Sequence, residues 1–467
     1  MSDVERLARG CLLPSFPGHD VPDWVLRALE GGLGGITLFA YNVSDRSRLA
    51  VLTKRLHGER EILVAIDEEG GDVTRLEAAE GSSFPGNLAL GAVDDPALTE
   101  EVAAAIAGDL ARAGVNLNLA PVADANTNPD NPVIGVRSFG ADPELVARHV
   151  AAFVAGTQRQ GVAACAKHFP GHGDSAVDSH LDLPIVEGDL ELALLPFRAA
   201  IAAGVQAVMT AHLLVPSLDD APATLSRRIV SGLLRDELGF GGLVITDALE
   251  MRAISAGIGV EEGAVRALEA GVDALCIGHD LHEETVDAVV GALAGAVALG
   301  RLPLGRLEEA AGRVAATARW ASSPTGEGAP GPEVGAAAAS RALRIHGTFS
   351  LSGDPFVVEL VPEANFAAGE LAYGLADLWP GALGVRLDAS GADVAAALGP
   401  SGERPLVVVT RDAARHEWQQ AAVRKLLALR PEAIVIETGL PGGVPAAIET
   451  FGSGRANLAA ARDVLVG

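Results

Sequence analysis

Short apolar runs alternate with longer amphipathic stretches through the first two thirds of this chain. The runs are Cys11 to Ser15, Gly35 to Ala40, Ile62 to Asp67, Val115 to Val122, Val162 to Phe169, Gln206 to His212, Leu243 to Asp247 and Val272 to Gly278. Each is too short for a helix and continuous rather than alternating, as expected of strands buried on both faces. Between them, Pro22 to Leu29, Asp45 to Leu56, Leu98 to Ala113, Pro143 to Gln160, Asp189 to Ala203, Ser226 to Leu238, Glu261 to Ala270 and Glu283 to Leu299 read as helices. Eight strand–helix units predict an α/β fold, a closed (β/α)8 TIM-type barrel over residues 1–322, in preference to an open doubly wound sheet. Spacing alone does not demonstrate closure.

Arg306 to Ala321 reads as one more helix, followed by a Ser-, Pro- and Gly-rich stretch from Ser322 to Pro332. That composition predicts a linker, placed at 323–335. Beyond it, Phe356 to Leu360, Leu406 to Thr410 and Ala433 to Glu437 read as strands, with Arg415 to Leu429 a helix between the last two. Residues 336–467 are therefore expected to form a smaller, open α/β sandwich domain. It shows no phosphate-cradling glycine motif and no paired acid, so packing or oligomerisation is its expected role.

Barrels of this kind gather their chemistry at the C-terminal ends of the strands. Those ends are rich in polar residues here: Asp67, Asp124 with Asn126, Lys167 with His168, His212 and Asp247. One such residue would be a cap or a solvated end; several on one face would make a polar pocket. Asp247 follows the apolar run Leu243-Val244-Ile245-Thr246, where an ionised carboxylate is costly unless cations or hydrogen bonds offset its burial. Lys167 and Arg137 are candidates for that positive field. A fixed carboxylate of this kind is a good nucleophile toward an electrophilic sugar carbon; the plainer alternative is an N-cap for the next helix.

The richest stretch is Lys167 to His180, which holds three of the eleven His residues. Pro170, Gly171 and Gly173 forbid a helix there and give tight turns. Lys54, Lys167 and Lys425 are the only lysines among 35 basic residues. A lysine in this loop therefore suggests that a compact ammonium is wanted. In Asp178-Ser179-His180 the carboxylate can accept from one imidazole nitrogen and leave the other to transfer a proton. Asp-x-His by itself is a weak signal; the rigid loop strengthens it.

The net charge of −26 argues against nucleic acid or an anionic membrane surface as a partner. Cys11, Cys165 and Cys276 give neither a disulfide framework nor a zinc signature. No apolar segment precedes Cys11 and no run is long enough to span a membrane, so a cytoplasmic protein is expected. The sequence points to no cofactor, and oligomeric state is not legible in it.

These residues resemble glycoside hydrolase family 3, and within it the bacterial β-N-acetylglucosaminidase branch. The likeness is carried by Asp67-Glu68-Glu69-Gly70-Gly71, Asn131 to Gly140, the Lys167 to Pro184 loop, Pro222 to Ser226 and Gly239 to Met251. It implies a retaining exo-glycosidase acting on terminal β-linked N-acetylglucosamine, without a cofactor. Asp247 would be the nucleophile and His180, oriented by Asp178, the general acid/base. Asp67, Arg75, Arg137, Lys167 and His168 would hold the sugar hydroxyls and the N-acetyl group. Two positions depart from the family's usual segment: Glu68 stands for Gln and Asp72 for Arg. Both acids are expected near the pocket rim, where they would alter the aglycone.

Three other readings use the same residues. An imidazole acid does not repel an anion, so phosphate could replace water as acceptor and make the enzyme a glycoside phosphorylase. His168, His172, His180, His212 and Asp247 could instead be ligands of a metal-dependent hydrolase. A non-catalytic sugar-binding barrel is the third, although it would have no need for both Asp247 and His180.

Overall fold

The computed structural model describes residues 2–58, 60–177, 183–278, 282–324, 326–349, 351–364, 369, 371–391 and 394–467. All eight expected barrel strands form: β1 (Leu12–Pro14), β2 (Gly35–Leu38), β3 (Leu63–Ile66), β4 (Leu117–Asn118), β5 (Ala163–Phe169), β6 (Ala207–Thr210), β7 (Leu243–Thr246) and β8 (Leu275–Ile277). Strands β2 to β7 pair in sequence order and in parallel, and β1 pairs with β8. Both seams between these sheets are joined. Ile245 bridges Ala274 between β7 and β8, and the Thr37 hydroxyl of β2 donates to the Leu13 carbonyl of β1 at 3.2 Å. The architecture is a barrel of the TIM type, and the open-sheet alternative is set aside.

The continuous apolar runs divide by parity between two cores. Leu13, Leu63, Ala65, Leu117, Ala163, Cys165, Ala207, Met209, Leu243 and Ile245 fill the barrel interior together with Val314 and Ala318. The alternate residues, among them Leu12, Val64, Ile66, Ala164, Val208 and Val244, pack outward against the helices. With both faces dry, every position must be apolar and no alternation survives in the sequence. The helix Leu304–Trp320 supplies Val314 and Ala318, so it plugs one mouth. The helix expected over Glu261 to Ala270 begins earlier, at Arg252, and breaks at Gly259, where φ is +81°.

The second domain is a six-stranded sheet of β9 (Arg344–Ile345), β10 (Phe356–Leu360), β11 (Leu383–Leu387), β12 (Leu406–Thr410), β13 (Ile434–Glu437) and β14 (Ile448–Glu449). Their order is β11-β10-β12-β13-β14-β9, parallel except for β9. β10, β12, β13 and the helix Glu417–Leu429 match the expected segments. β9, β11, β14 and the helices Glu333–Ala342 and Arg455–Val466 carry no strong sequence signal: β11 is mostly exposed, and β9 and β14 are two residues each. No helix among the described residues is long and apolar enough to cross a membrane.

Candidate active site

Parity also builds the site. Side chains alternate along a strand, so the inward series Leu63, Ala65 continues to Asp67. In the same way Ala163, Cys165 leads to Lys167, and Leu243, Ile245 to Asp247. These three charged residues thus point into the open mouth above the inner core. They line one cavity of about 390 Å³ with Arg75, Arg137, His168, His172, Glu69 and Glu250. Asp247 is not the cap of the following helix, whose N-cap is Met251; its Oδ1 accepts from the Ala248 N–H at 2.8 Å.

A buried charge network forms the cavity wall. Lys167 Nζ lies 2.5 Å from Asp67 Oδ1 and 2.8 Å from Glu69 Oε1. Arg137 makes a two-pronged contact with Glu69, Nε to Oε2 at 3.0 Å and Nη2 to Oε1 at 2.8 Å. Burial alone would push the Glu69 carboxyl up, but Arg137 and Lys167 outweigh it and hold it well below the usual carboxylate range. Burial likewise disfavours the Lys167 ammonium, and Asp67 and Glu69 more than compensate, so its pKa is raised. Both cations are therefore fixed in place and charged, ready to donate to ligand oxygens.

The loop that leaves β5 is tied down from beneath. Asp124 Oδ2 accepts from His168 Nδ1 at 2.7 Å, and its Oδ1 accepts from the His172 N–H at 2.7 Å. With Nδ1 so engaged, Nε2 is the His168 nitrogen turned to the cavity. His172 Nδ1 meets the Ser175 hydroxyl at 2.8 Å; burial and, secondarily, the neighbouring His168 depress its pKa against the pull of Asp124. Gly173 packs so closely on Ala125 that any side chain there would collide with its carbonyl. The Lys167-His168 and Phe169-Pro170 peptide bonds are cis.

Asp67, Arg75, Arg137, Lys167, His168 and Asp247, all expected at the site, are brought together in this cavity. Asp178 and His180 lie outside the described residues. His212 is not in the cavity wall: it is buried, with Nδ1 on the Thr224 hydroxyl at 2.8 Å and Nε2 facing the Ala248 carbonyl at 3.0 Å. The five-residue metal set is thus not assembled by His212. Among the described residues, no group of three or more His, Cys, Asp or Glu is placed to hold a metal ion.

The expectation for Glu68 and Asp72 is corrected. Neither lines the cavity. Glu68 is buried under the turn after β3, where its Oε2 accepts from the N–H groups of Arg75 and Leu76 at 2.8 and 2.9 Å. Burial pushes its carboxyl up to about 7 despite those bonds. Asp72 faces the second domain, with Oδ2 2.7 Å from Arg411 Nη2. Acids on a tight turn are sorted by which way each points, and a sequence does not record that. Sequence reasoning also passed over Glu69 as a site residue, although it sits in the quoted motif. Its only signal was its place in that motif, two residues past Asp67.

Comparisons with known proteins bear on the family and the fold. The model of the glycosyl hydrolase family 3 N-terminal domain matches residues 19–317. The chain is similar to β-hexosaminidase A of Pseudoalteromonas piscicida, 39% identical over 268 residues, 52% of this chain and 45% of that protein. It thus spans less than half the length of that relative. It is also similar to a β-hexosaminidase of Thiobacillus denitrificans, 36% identical over 297 residues, 61% of this chain and 82% of the other. Among solved structures, a family 3 β-N-acetylglucosaminidase from Paenibacillus sp. strain FPU-7 superimposes with a TM-score of 0.89. It is 34% identical, and the match covers 100% of this chain and 97% of the other.

Proposed function

This chain belongs to glycosyl hydrolase family 3, and from that premise we propose that it removes terminal β-linked N-acetylglucosamine by a retaining mechanism. The observation that carries the reading is the position of Asp247. It extends the inward register of β7 into a cavity that Lys167, Arg137, Arg75 and His168 also line. Its carboxylate attacks the anomeric carbon as the bond to the aglycone oxygen breaks, forming a glycosyl-enzyme that water then opens. His180, oriented by Asp178, gives the departing oxygen its proton and takes one from the incoming water. Both follow directly on the described part of the β5 loop, which ends at Val177. Arg137, Lys167 and Arg75 donate to hydroxyl and acetamido oxygens, and His168 presents Nε2.

Support for the N-acetyl preference comes from the β-hexosaminidase and β-N-acetylglucosaminidase relatives. A substrate panel tests it: aryl β-N-acetylglucosaminide against aryl β-glucoside, each in phosphate and in phosphate-free buffer. Faster release from the N-acetyl substrate, independent of phosphate, is expected. A strict phosphate requirement with sugar 1-phosphate as product would assign a phosphorylase instead, and preference for the glucoside would overturn the sugar assignment.

A further inference from the structure

The second domain keeps the topology of a ligand-binding α/β sheet. From β10 the chain passes to β11 on one side and returns to β12 on the other. Outside the carboxyl ends at such a turning point, open parallel sheets receive their ligands. Here that crevice measures only about 50 Å³ and is bordered by Leu360, Tyr373, Thr410, Arg411 and Ser453. The barrel binds two of these bordering residues. The Asp72 carboxylate takes Arg411 Nη2 on Oδ2 at 2.7 Å and the Ser453 N–H on Oδ1 at 2.7 Å. Ser453 lies one residue before Gly454, the N-cap of the helix Arg455–Val466, so the carboxylate sits near the positive end of that helix dipole. A guanidinium, a backbone N–H and a helix N-terminus are what such a sheet offers a bound anion; the anion here is a side chain of the barrel, 2% exposed.

Asp72 stands midway along the turn that carries the cavity residues Glu69, Val73 and Arg75. The turn is narrow: the Glu69 N–H donates to the Val73 carbonyl at 3.0 Å, and the Val73 N–H to Gly70 at 3.3 Å. Gly71, at φ +59°, lies so near Gly86 that a Cβ there would come within 2.5 Å of its Cα. A turn held this tightly transmits a displacement at Asp72 to its neighbours. Arg455 clasps the same segment further on, through Glu77 at 3.1 Å and the Gly81 carbonyl at 3.1 Å.

We infer that the second domain is a positioning element of the sugar cavity: Arg411 and Ser453 grip Asp72 as an intramolecular anion and so set Glu69 and Arg75. The inference rests on reading the cavity as the sugar site. Asp72→Ala is expected to raise KM for an aryl N-acetylglucosaminide about tenfold with kcat within about twofold. Excess formate, which fits the vacated place between Arg411 and Ser453, should reverse most of that rise while leaving the wild type unchanged. Arg411→Ala should raise KM too, without formate rescue, because the cation is gone. A KM that stays at the wild-type value, a KM rise that formate does not reverse, or a loss confined to kcat overturns the inference. Amide hydrogen exchange over residues 69–76 needs no substrate: it should quicken in Asp72→Ala and slow again with formate, and no change would overturn the inference. A wild-type enzyme inactive on every glycoside in the panel would sink the functional reading, while the exchange result would still decide this one.

Discussion

The barrel and the largely parallel sheet of the second domain have carboxyl edges that met opposite fates. The barrel's edge opens onto a cavity of about 390 Å³; that of the second sheet encloses about 50 Å³. Both gather acids. At the barrel mouth, Asp67 and Glu69 are balanced by Lys167 and Arg137, and all four side chains line the cavity. In the second sheet, Glu437 is saturated by the Thr410 hydroxyl and the N–H groups of Asp412, Ala413 and Gly439. Glu359 is paired with Arg386 at 2.9 Å. Topology marks both edges as places for a ligand; what separates them is whether the protein's own groups have used up the polar valences.

The comparison breaks most sharply at Asp247. Asp247→Ala should lower kcat by ~10⁴-fold, measured by aryl glycoside release, whereas no single acid removed from the second sheet should come close. The next largest effect belongs to the proton donor. His180→Ala should cost ~10²–10⁴-fold with alkyl leaving groups and little with activated aryl ones, which leave without a proton. Equal losses on both classes would remove His180 from the acid role.

Lys167→Met tests the wall itself. It strips a buried partner from both Asp67 and Glu69, and should destabilise the protein by about 3 kcal/mol in denaturant titration. It should also raise KM, since an ammonium facing the cavity is lost. A stable variant with unchanged KM would mean that the network is neither structural nor ligand-facing.

The smallest effects sharpen the contrast between the two edges. Burial pushes the Glu68 and Glu437 carboxyls to about 7 from an ordinary 4.5. A raised carboxyl pKa means that the native state holds the proton more tightly. Each group's contribution is therefore fully present below about pH 4.5 and lost as pH rises through 7. Glu68→Gln, whose amide oxygen can still accept from Arg75 and Leu76, should stabilise the protein at pH 8 by on the order of 1–3 kcal/mol, read as a higher melting temperature, and do little at pH 5. Glu437→Gln, which turns an amide NH2 toward two of the donors that Glu437 accepts from, should lower the melting temperature instead. Only Glu68→Gln should also move KM, because Glu68 holds the N–H of Arg75. A shift in KM from Glu437→Gln would erase the distinction between the edges.

Much of this was legible before any coordinates. The eight strands followed from short continuous apolar runs, and the residues at their ends, Asp67, Lys167 and Asp247, share the cavity. Those features are local: a strand dry on both faces must be apolar throughout, and its first polar residue marks where the dry core stops. The direction taken by side chains on loops was not legible. His212 was expected at the mouth with Asp247, yet it lies two residues past the end of β6 on the outward register of Val208 and turns to Thr224, away from the cavity.

Local pattern specified eight strand–helix units and the kinds of charge at their ends, because periodicity and polarity act over a few residues; closure into a barrel required the β1–β8 pairing and its joins to β2 and β7. Tertiary structure alone decided that Glu68 faces inward, that Asp72 belongs to the second domain's Arg411, and that Glu69 is the joint between Lys167 and Arg137. The last two depend on partners dozens to hundreds of positions away, and the first on a turn that folds Arg75 and Leu76 back onto Glu68. The cost of burying a carboxylate is set by whether such a partner arrives.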